Sequence, residues 1–155
     1  MFARMQSLYL FIAALLAFSS VFFPFWYYVA ESRYLLMDFR PFAEANSIHV
    51  FTLYISSIVS PITGLLSIAA MFLYKNRMLQ SRLILALILL FLVDVLSGLA
   101  AAHFMNQQLE QAFGSGVAHS PGAGFFVILP EPLLFWLALK GVKKDEKIAS
   151  AYKRL

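Results

Sequence analysis

Cysteine is absent from this chain of 155 residues, and charged residues are scarce. Without cysteine the protein has no disulfide, no thiolate nucleophile and no cysteine-bound metal. Only 13% of the residues are charged, which is about half of the usual share in soluble proteins. The chain also has no GxSxG, HExxH, P-loop or dinucleotide-binding motif. These absences lead us to expect that it has no catalytic activity of its own.

Apolar residues are abundant instead and make up 61% of the chain. They concentrate in four stretches: Leu8–Val29, Ile48–Tyr74, Leu83–Phe104 and Phe125–Leu139. A helix crosses the roughly 30 Å core of a bilayer with about 20 mostly apolar residues. Three stretches have that length and the fourth is marginal. The pattern predicts an all-α membrane protein: one domain, residues 1–155, with four transmembrane helices in an antiparallel bundle.

Basic residues lie almost entirely on one side of these stretches. All but Arg33 and Arg40 of the 12 lysines and arginines precede the first stretch, separate the second from the third, or follow the fourth. The positive-inside rule makes that side cytoplasmic, so both termini are predicted in the cytoplasm. Several of these residues are predicted to contact anionic lipid headgroups or a partner protein, and not nucleic acid: Lys75, Arg77, Arg82, Lys140, Lys143 and Lys144.

The first stretch is expected to be a retained helix, because it is too long for a signal peptide and lacks a cleavage site. Its aromatic end, Phe22–Tyr28, matches the aromatic belt of membrane interfaces. The loop Glu31–Asn46 is predicted to lie flat on the outer interface as a short amphipathic segment. The glycine-rich segment Gly114–Gly124 is predicted to be a flexible outer loop.

Polar residues recur at helical spacing along one face of the second helix: His49, Thr52, Ser56, Ser60, Thr63 and Ser67. This stripe is either a wetted path or a seam where helices pack closely. The short basic connection after it predicts that the second and third helices form an antiparallel hairpin. In the fourth stretch Glu131 lies between Pro130 and Pro132, which predicts a kinked or broken helix.

Two carboxyl groups fall inside the predicted spans, Asp94 in the third and Glu131 in the fourth. Counted from the cytoplasmic basic residues at about 1.5 Å per residue, they lie at nearly the same depth. The hydroxyls of the second helix that reach this depth are Ser60, Thr63 and Ser67. Ionisable groups inside a membrane indicate function by default. The set is either a proton or cation relay, or protonated side chains that join helices by hydrogen bonds.

His49 and His103 are predicted near the outer ends of the second and third helices. Two histidines at similar depth on neighbouring helices could hold a haem or a chlorophyll-type pigment. The alternative is a pair of interfacial histidines whose hydrogen bonds are made by water and headgroups. No other metal site is expected from the sequence.

Four segments at the cytoplasmic edges resemble those of one known family: Met5–Leu10, Leu73–Leu83, Lys144–Lys147 and Lys153–Leu155. They are similar to small bacterial four-helix membrane proteins catalogued as domain of unknown function 4293. The resemblance implies four spans in the inner membrane of a Gram-negative bacterium, and it brings no catalytic residue with it. Asp94 and the segment Pro130–Pro132 lie outside the pattern of that family.

We expect the chain to act as an accessory or structural subunit of a larger membrane protein complex. Small residues and isolated polar groups suit packing against other membrane helices. The expected partners are the bilayer, other membrane subunits and anionic lipids. Two alternatives remain open. One is a small proton- or ion-conducting subunit that uses Asp94 and Glu131, and the other is a subunit that binds haem or pigment through His49 and His103.

Overall fold

A computed structural model of the protein describes residues 2–43, 45–114 and 116–152. For residues 2–4 and 152 it describes the backbone alone. Two basic residues of the predicted cytoplasmic tail, Lys153 and Arg154, and the closing segment of the family resemblance therefore lie outside the described residues.

The described chain is mostly helical, with three short strands. The helices are α1 (Phe2–Ser20), α2 (Ser47–Phe72), α3 (Arg77–Phe113), α4 (Ala123–Ile128) and α5 (Glu131–Tyr152). The strands are β1 (Trp26–Val29), β2 (Arg33–Leu36) and β3 (Ala118–Pro121). A single 3-10 turn, Leu73–Lys75, joins α2 to α3.

Three helical segments are long and apolar enough to cross a membrane: Ser47–Lys75, Arg77–Phe113 and Ala123–Ala151. The apolar part of α1 is shorter, Met5–Ser20. Because α3 has 37 residues, it is about 55 Å long at 1.5 Å per residue. It therefore extends well beyond the predicted stretch Leu83–Phe104.

The four long helices form an antiparallel ring. Helix α1 packs on α2 and α5, and α3 packs on the same two helices from the other side. Helices α2 and α3 form the hairpin that the short connection predicts. One end of the bundle carries the strands and is called the sheet end here. The other carries the α2–α3 turn together with the first turns of α1 and the last turns of α5, and is called the tail end.

Two groups of buried side chains hold this arrangement. The larger group joins all four long helices through residues such as Leu10, Ile84, Leu87 and Phe135. The second lies at the sheet end, where Tyr28 and Leu36 of the strands pack among residues of α2 and α3. The sheet is thus fastened to the bundle by its own apolar core.

The sheet corrects the prediction of an all-α fold. Strand β1 pairs antiparallel with both β2 and β3, so that Tyr27 lies opposite Leu35 and Ser120. Aromatic and β-branched residues such as those of β1 favour extended structure. Helix α1 ends at Ser20, a few residues before Pro24, because proline and the residue before it do not continue a helix.

The sheet changes three predicted segments: the predictions for Leu8–Val29 and Gly114–Gly124 were wrong, and the interfacial placement of Glu31–Asn46 stays a prediction. The stretch Leu8–Val29 is not one helix, since its aromatic end forms β1. The segment Glu31–Asn46 contains β2, and Gly114–Gly124 contains β3 and the start of α4. Strands β1 and β2 pair as a local hairpin, and β3 joins β1 from a distant part of the chain.

The fourth apolar stretch is broken where its prolines predict a break. Helix α4 stops at Ile128, and α5 begins at Glu131. Pro132 lies in the first turn of α5, where a missing N–H costs little. The carbonyl of Pro130 accepts a hydrogen bond from Leu134 N at 3.1 Å. The break therefore places Glu131 at the junction of two helices.

Helix α4 is seated on the backbone that links α1 to β1. Gly122 N donates to Phe25 O, and Gly124 N donates to Pro24 O, both at 2.9 Å. A Cβ atom on Gly124 would lie 2.7 Å from Phe23 O, and one on Gly122 would overlap the Pro24 carbonyl. Only glycine allows this close approach of two backbones.

Candidate functional site

Asp94 lies buried in the middle of α3 and faces α2. Ser56 Oγ donates a hydrogen bond of 2.6 Å to Asp94 Oδ1. Ser60, one turn further along α2, is close enough to interact with the same carboxyl group. The aspartate is thus held by the Ser56 hydroxyl of the neighbouring helix.

Glu131 lies in the same part of the bundle, at the start of α5. Its side chain is only 2% exposed, and its Oε1 atom is buried without a hydrogen-bond partner among the described residues. It is close enough to Asp94 for the charges of the two groups to interact. The two carboxyls that the sequence placed at one depth therefore lie within range of a charge interaction across the α3–α5 interface. An unpartnered buried oxygen is uncommon and calls for an explanation.

The polar stripe of α2 faces the bundle interior, where His49, Ser56, Ser60, Thr63 and Ser67 are buried. Its hydroxyls differ in what they bind. Ser60 Oγ donates to Ala17 O at 3.0 Å and lies 2.8 Å from Ser20 Oγ, so it joins α2 to α1. Thr63 and Ser67 donate to carbonyls of their own helix.

Of the three hydroxyls that the depth count selected, Ser60 alone is close to a carboxyl group. Ser56 makes the short bond to Asp94 instead. The depth count assumes that α2 and α3 are not shifted along their axes relative to each other. A shift of one helical turn changes the predicted partner of Asp94 from Ser60 to Ser56.

A third carboxyl group, Asp38, belongs to this region and was not selected from the sequence. It follows β2 in a tight turn, Met37–Arg40. Ser57 Oγ donates to Asp38 Oδ1 at 3.1 Å, and Asp38 interacts by charge with Asp94. Burial raises the pKa of the Asp38 carboxyl, and the hydrogen bond from Ser57 opposes that rise. The signal in the sequence was a lone acid between Met37 and Phe39, in a segment otherwise assigned to the interface.

We call Asp38, Asp94 and Glu131 the acidic cluster. Each neighbouring pair interacts by charge. In the part of the chain that the structure describes, no three histidine, aspartate or glutamate side chains are grouped so as to hold a metal ion. The charge interactions link Asp38 to Asp94 and Asp94 to Glu131, so the three carboxyls form a series with Asp94 in the middle.

His49 is fully buried near the sheet end. Its Nδ1 atom lies 2.9 Å from Ala101 O. Because a carbonyl can only accept, Nδ1 carries the proton, and Nε2 is left buried without a partner in the described part of the chain. On the next residue of α3, Ala102 O accepts a bond of 2.6 Å from Tyr28 Oη. These two bonds tie α2 and the sheet to adjacent carbonyls.

His103 has different surroundings. It is exposed, its Nε2 atom lies 3.1 Å from Gln107 Nε2, and it lines a cavity of about 200 Å³ with Trp26, His119 and other residues that do not include His49. The structure thus gives the two histidines separate environments.

Basic residues at the tail end divide into two groups. Arg77 turns inward: its Nη1 atom lies 3.4 Å from Asp145 Oδ2 and donates to Gln6 Oε1 at 3.1 Å. Gln6 Nε2 donates to the same Asp145 oxygen at 2.9 Å. This network joins α1, α3 and α5, so Arg77 has a structural role. Lys75, Arg82 and Lys143 are exposed.

Lys140 and Lys144 border a groove of about 350 Å³ between α1 and α5. Met5, Tyr9 and Leu137 line its apolar part. The Lys140 ammonium also lies 5.1 Å from the centre of the Trp136 ring. The groove thus combines an apolar floor with two positive charges on successive turns of one helix.

Together, the fold and the site define a mostly helical bundle with helices able to cross a membrane, a small sheet at one end and buried carboxyl groups. The family model for the domain of unknown function DUF4293 matches residues 2–155. The chain belongs to this family, as the resemblance at its edges indicated. No curated protein and no solved structure matches the chain.

Proposed function

We propose that this protein is a small proton-conducting protein of the bacterial inner membrane, in which Asp94 and Glu131 carry the proton. The observation that supports this most directly is the buried carboxyl of Glu131, whose Oε1 atom has no partner among the described residues and which interacts by charge with Asp94. From the sequence, an accessory role was the first expectation and this function was an alternative. The environment of Glu131 is the reason for reversing that order.

A proton is the ligand that best suits the pair. Burial makes each negative charge costly, and two such charges near each other add repulsion. A bound proton relieves both costs. It can then pass between the two groups, because breaking an O–H bond on one carboxyl while forming one on the other leaves the total charge unchanged.

The membrane placement rests on the helices and on the charge pattern. Three described segments are able to cross a bilayer by length and composition. Apart from Arg33 and Arg40, the basic residues of the described chain gather at the tail end, which the positive-inside rule places in the cytoplasm. The sheet end would then face outward, with its aromatic residues Trp26 and Tyr27 at the interface.

Polar groups continue from the cluster towards the tail end. Thr63 and Ser67 follow on α2 and are buried. Gln80 on α3 is also buried: its Nε2 donates to Ala70 O at 2.9 Å, and its Oε1 has no partner among the residues that the structure describes. These groups offer hydrogen-bonding positions on the side of the bundle away from the sheet.

Proton flux in proteoliposomes tests the proposal. Protein is reconstituted with a pH-sensitive dye inside, and a potential across the membrane drives proton entry. We expect the Asp94→Asn and Glu131→Gln variants to lower the flux by about tenfold or more, since a positioned proton-transfer group commonly contributes at least that much. Glu110→Gln is the matched control, because Glu110 is an exposed carboxyl on α3. Wild-type flux in both cluster variants would reject the function.

Partners and cofactors remain separate proposals. We propose that anionic lipid headgroups occupy the groove at Lys140 and Lys144, whose charges and apolar floor suit a phospholipid. Assembly with other membrane subunits, without catalysis by this chain, is tested by native mass spectrometry in mild detergent. Haem or pigment at His49 or His103 is tested by the absorption spectrum, and a colourless preparation would reject it.

A further inference from the structure

The turn after β2 reaches deep along α2. Its bridge joins Met37 to Arg40, and Phe39 has a φ of 59°, a left-handed conformation that bulky residues seldom adopt. Its docking site, Ser57, lies ten residues into α2, or about 15 Å from the start of that helix at 1.5 Å per residue. Strained residues of this kind persist where surrounding contacts hold them, and they concentrate at functional sites.

Two adjacent serines connect this turn to the buried pair. Ser57 Oγ contacts Asp38 Oδ1 at 3.1 Å and accepts a hydrogen bond of 3.0 Å from Phe39 N. Ser56 Oγ donates to Asp94 Oδ1 at 2.6 Å. Neighbouring residues of one helix thus hold a carboxyl of the sheet end and a carboxyl of the interior.

Asp38 differs from the other two carboxyls in its exposure. Asp94 and Glu131 are buried, whereas Asp38 is half-buried, and the next two residues, Phe39 and Arg40, are exposed. It therefore borders both the surface of the sheet end and the interior.

We propose that Asp38 is the group through which protons pass between the surface of the sheet end and the Asp94–Glu131 pair. This inference rests on the proposed function and names its point of entry. In the transfer step the O–H bond on Asp38 breaks and one forms on Asp94. Asp38 becomes the anion, Asp94 becomes neutral, and the next proton arrives at Asp38 from water.

The hydrogen bonds of Ser57 allow both states of Asp38. Its hydroxyl has one hydrogen and two acceptors in reach, Asp38 Oδ1 at 3.1 Å and Leu53 O at 2.8 Å. When Asp38 is ionised, the hydroxyl donates to it. When Asp38 is protonated, the hydroxyl turns to Leu53 O, and its oxygen can accept the proton of Asp38. The turn stays docked through Phe39 N in both states.

Few other charges act on Asp38. From α2 the facing polar group is Ser57. From α3 it is Asp94, which interacts with Asp38 by charge. Arg40, at the far end of the turn, is exposed. Among the described residues, then, the pKa of Asp38 is set chiefly by burial and by Ser57, and Asp38 in turn acts by charge on Asp94.

The liposome assay tests this with Asp38→Asn and with a matched control, Glu31→Gln, which removes an exposed carboxyl next to the same sheet. We expect about tenfold lower flux in Asp38→Asn and wild-type flux in Glu31→Gln. We expect Asp38→Glu to restore flux with a shifted dependence on the pH at the sheet-end side, which a purely structural role would not produce.

The outcomes separate the two proposals. Wild-type flux in Asp38→Asn, with loss in Asp94→Asn and Glu131→Gln, overturns the entry role and leaves the proposed function standing. Wild-type flux in the Asp94 and Glu131 variants overturns both. If Asp38→Asn does not fold, Ser57→Ala replaces it: slower flux with a shifted pH profile supports the entry role, and an unchanged profile overturns it.

Discussion

Neighbouring serines on α2 set the positions of carboxyl groups that come from two different parts of the chain. Ser56 holds Asp94 of α3, and Ser57 holds Asp38 of the turn after β2. Successive residues of a helix point about 100° apart, so the two carboxyls approach α2 from different sides. At the scale of the residue, the site is organised by hydroxyls that can serve as donor or acceptor as the acids gain and lose protons.

The stability of the folded protein should depend on the ionisation of Asp38. Burial raises its folded-state pKa above the ordinary value of 3.8. Below pH 3.8 the carboxyl is protonated in both states, and its contribution to stability is fully present. As the pH rises from there through the folded-state pKa, the unfolded chain loses its proton first, and the free energy of unfolding falls.

Chemical unfolding in detergent at a series of pH values measures this effect. Asp38→Asn cannot ionise, so its advantage over the wild type should grow as the pH rises above 3.8. Glu31→Gln serves as the control and should follow the wild type. If the free energies of unfolding of Asp38→Asn and wild type differ by a constant amount across this pH range, the raised folded-state pKa of Asp38 is contradicted.

At the scale of the element, the break between α4 and α5 creates the site. The break leaves Glu131 as the first residue of α5. Before the break, α4 is held in place by hydrogen bonds from Gly122 and Gly124 to the carbonyls of Phe25 and Pro24. The short helix is thus a support for the buried carboxyl.

Substitution of Gly124 should disturb that support. In Gly124→Ala the new Cβ would lie 2.7 Å from Phe23 O, an atom of the backbone that cannot move aside alone. We expect a loss of about 1–3 kcal/mol in the free energy of unfolding, as is usual for overpacking.

Gly116→Ala is the matched control, because its Cβ would meet no atom within 4 Å. A surface change of that kind should alter the free energy by no more than about 0.5 kcal/mol. Both variants are compared by chemical unfolding in the same detergent. Equal stability of the two variants would show that the close approach of Gly124 to the Phe23 backbone does not limit the size of the residue at position 124.

At the scale of the whole molecule, the two ends of the bundle have opposite character. The sheet end has aromatic residues, and the tail end has a network of Arg77, Gln6 and Asp145 surrounded by exposed lysines. This asymmetry is what orients a membrane protein.

The absence of cysteine makes the orientation simple to measure. Single cysteines at Ser32, between β1 and β2, and at Ser150, near the end of α5, occupy exposed positions at opposite ends. In intact inner-membrane vesicles of known sidedness, a membrane-impermeant maleimide should label Ser32→Cys from the outer side alone. Ser150→Cys should be labelled from the cytoplasmic side alone. Labelling of both from one side would contradict the transmembrane arrangement.

Much of the bundle followed from local patterns. Long apolar runs predicted the helices, the polar spacing predicted the inward face of α2, and two prolines predicted the break before α5. These features depend on residues close together in the chain, where periodicity and backbone restrictions act directly. The two carboxyls at one depth could be found in the same way, because the rise of a helix is constant.

The sheet could not be found in this way. Strands β1 and β2 form a local hairpin, which is only marginally stable alone. The pairing of β1 with β3 joins residues as far apart in the chain as Trp26 and Pro121. Asp38 was missed for the same reason, since its contacts with α2 and its interaction with Asp94 arise only when β2 is in place.

The sequence by itself determined that the chain is a set of apolar helices with few charges, most of the basic ones on one side, and that Asp94 and Glu131 lie within them. Hydrophobicity and helical periodicity are properties of short segments, so they can be recognised in the sequence without knowledge of the fold. Only the tertiary structure decided which helices are neighbours, that a sheet closes one end, that Ser56 holds Asp94, and that Asp38 joins the cluster. These depend on contacts between distant segments, which are settled when the whole chain packs.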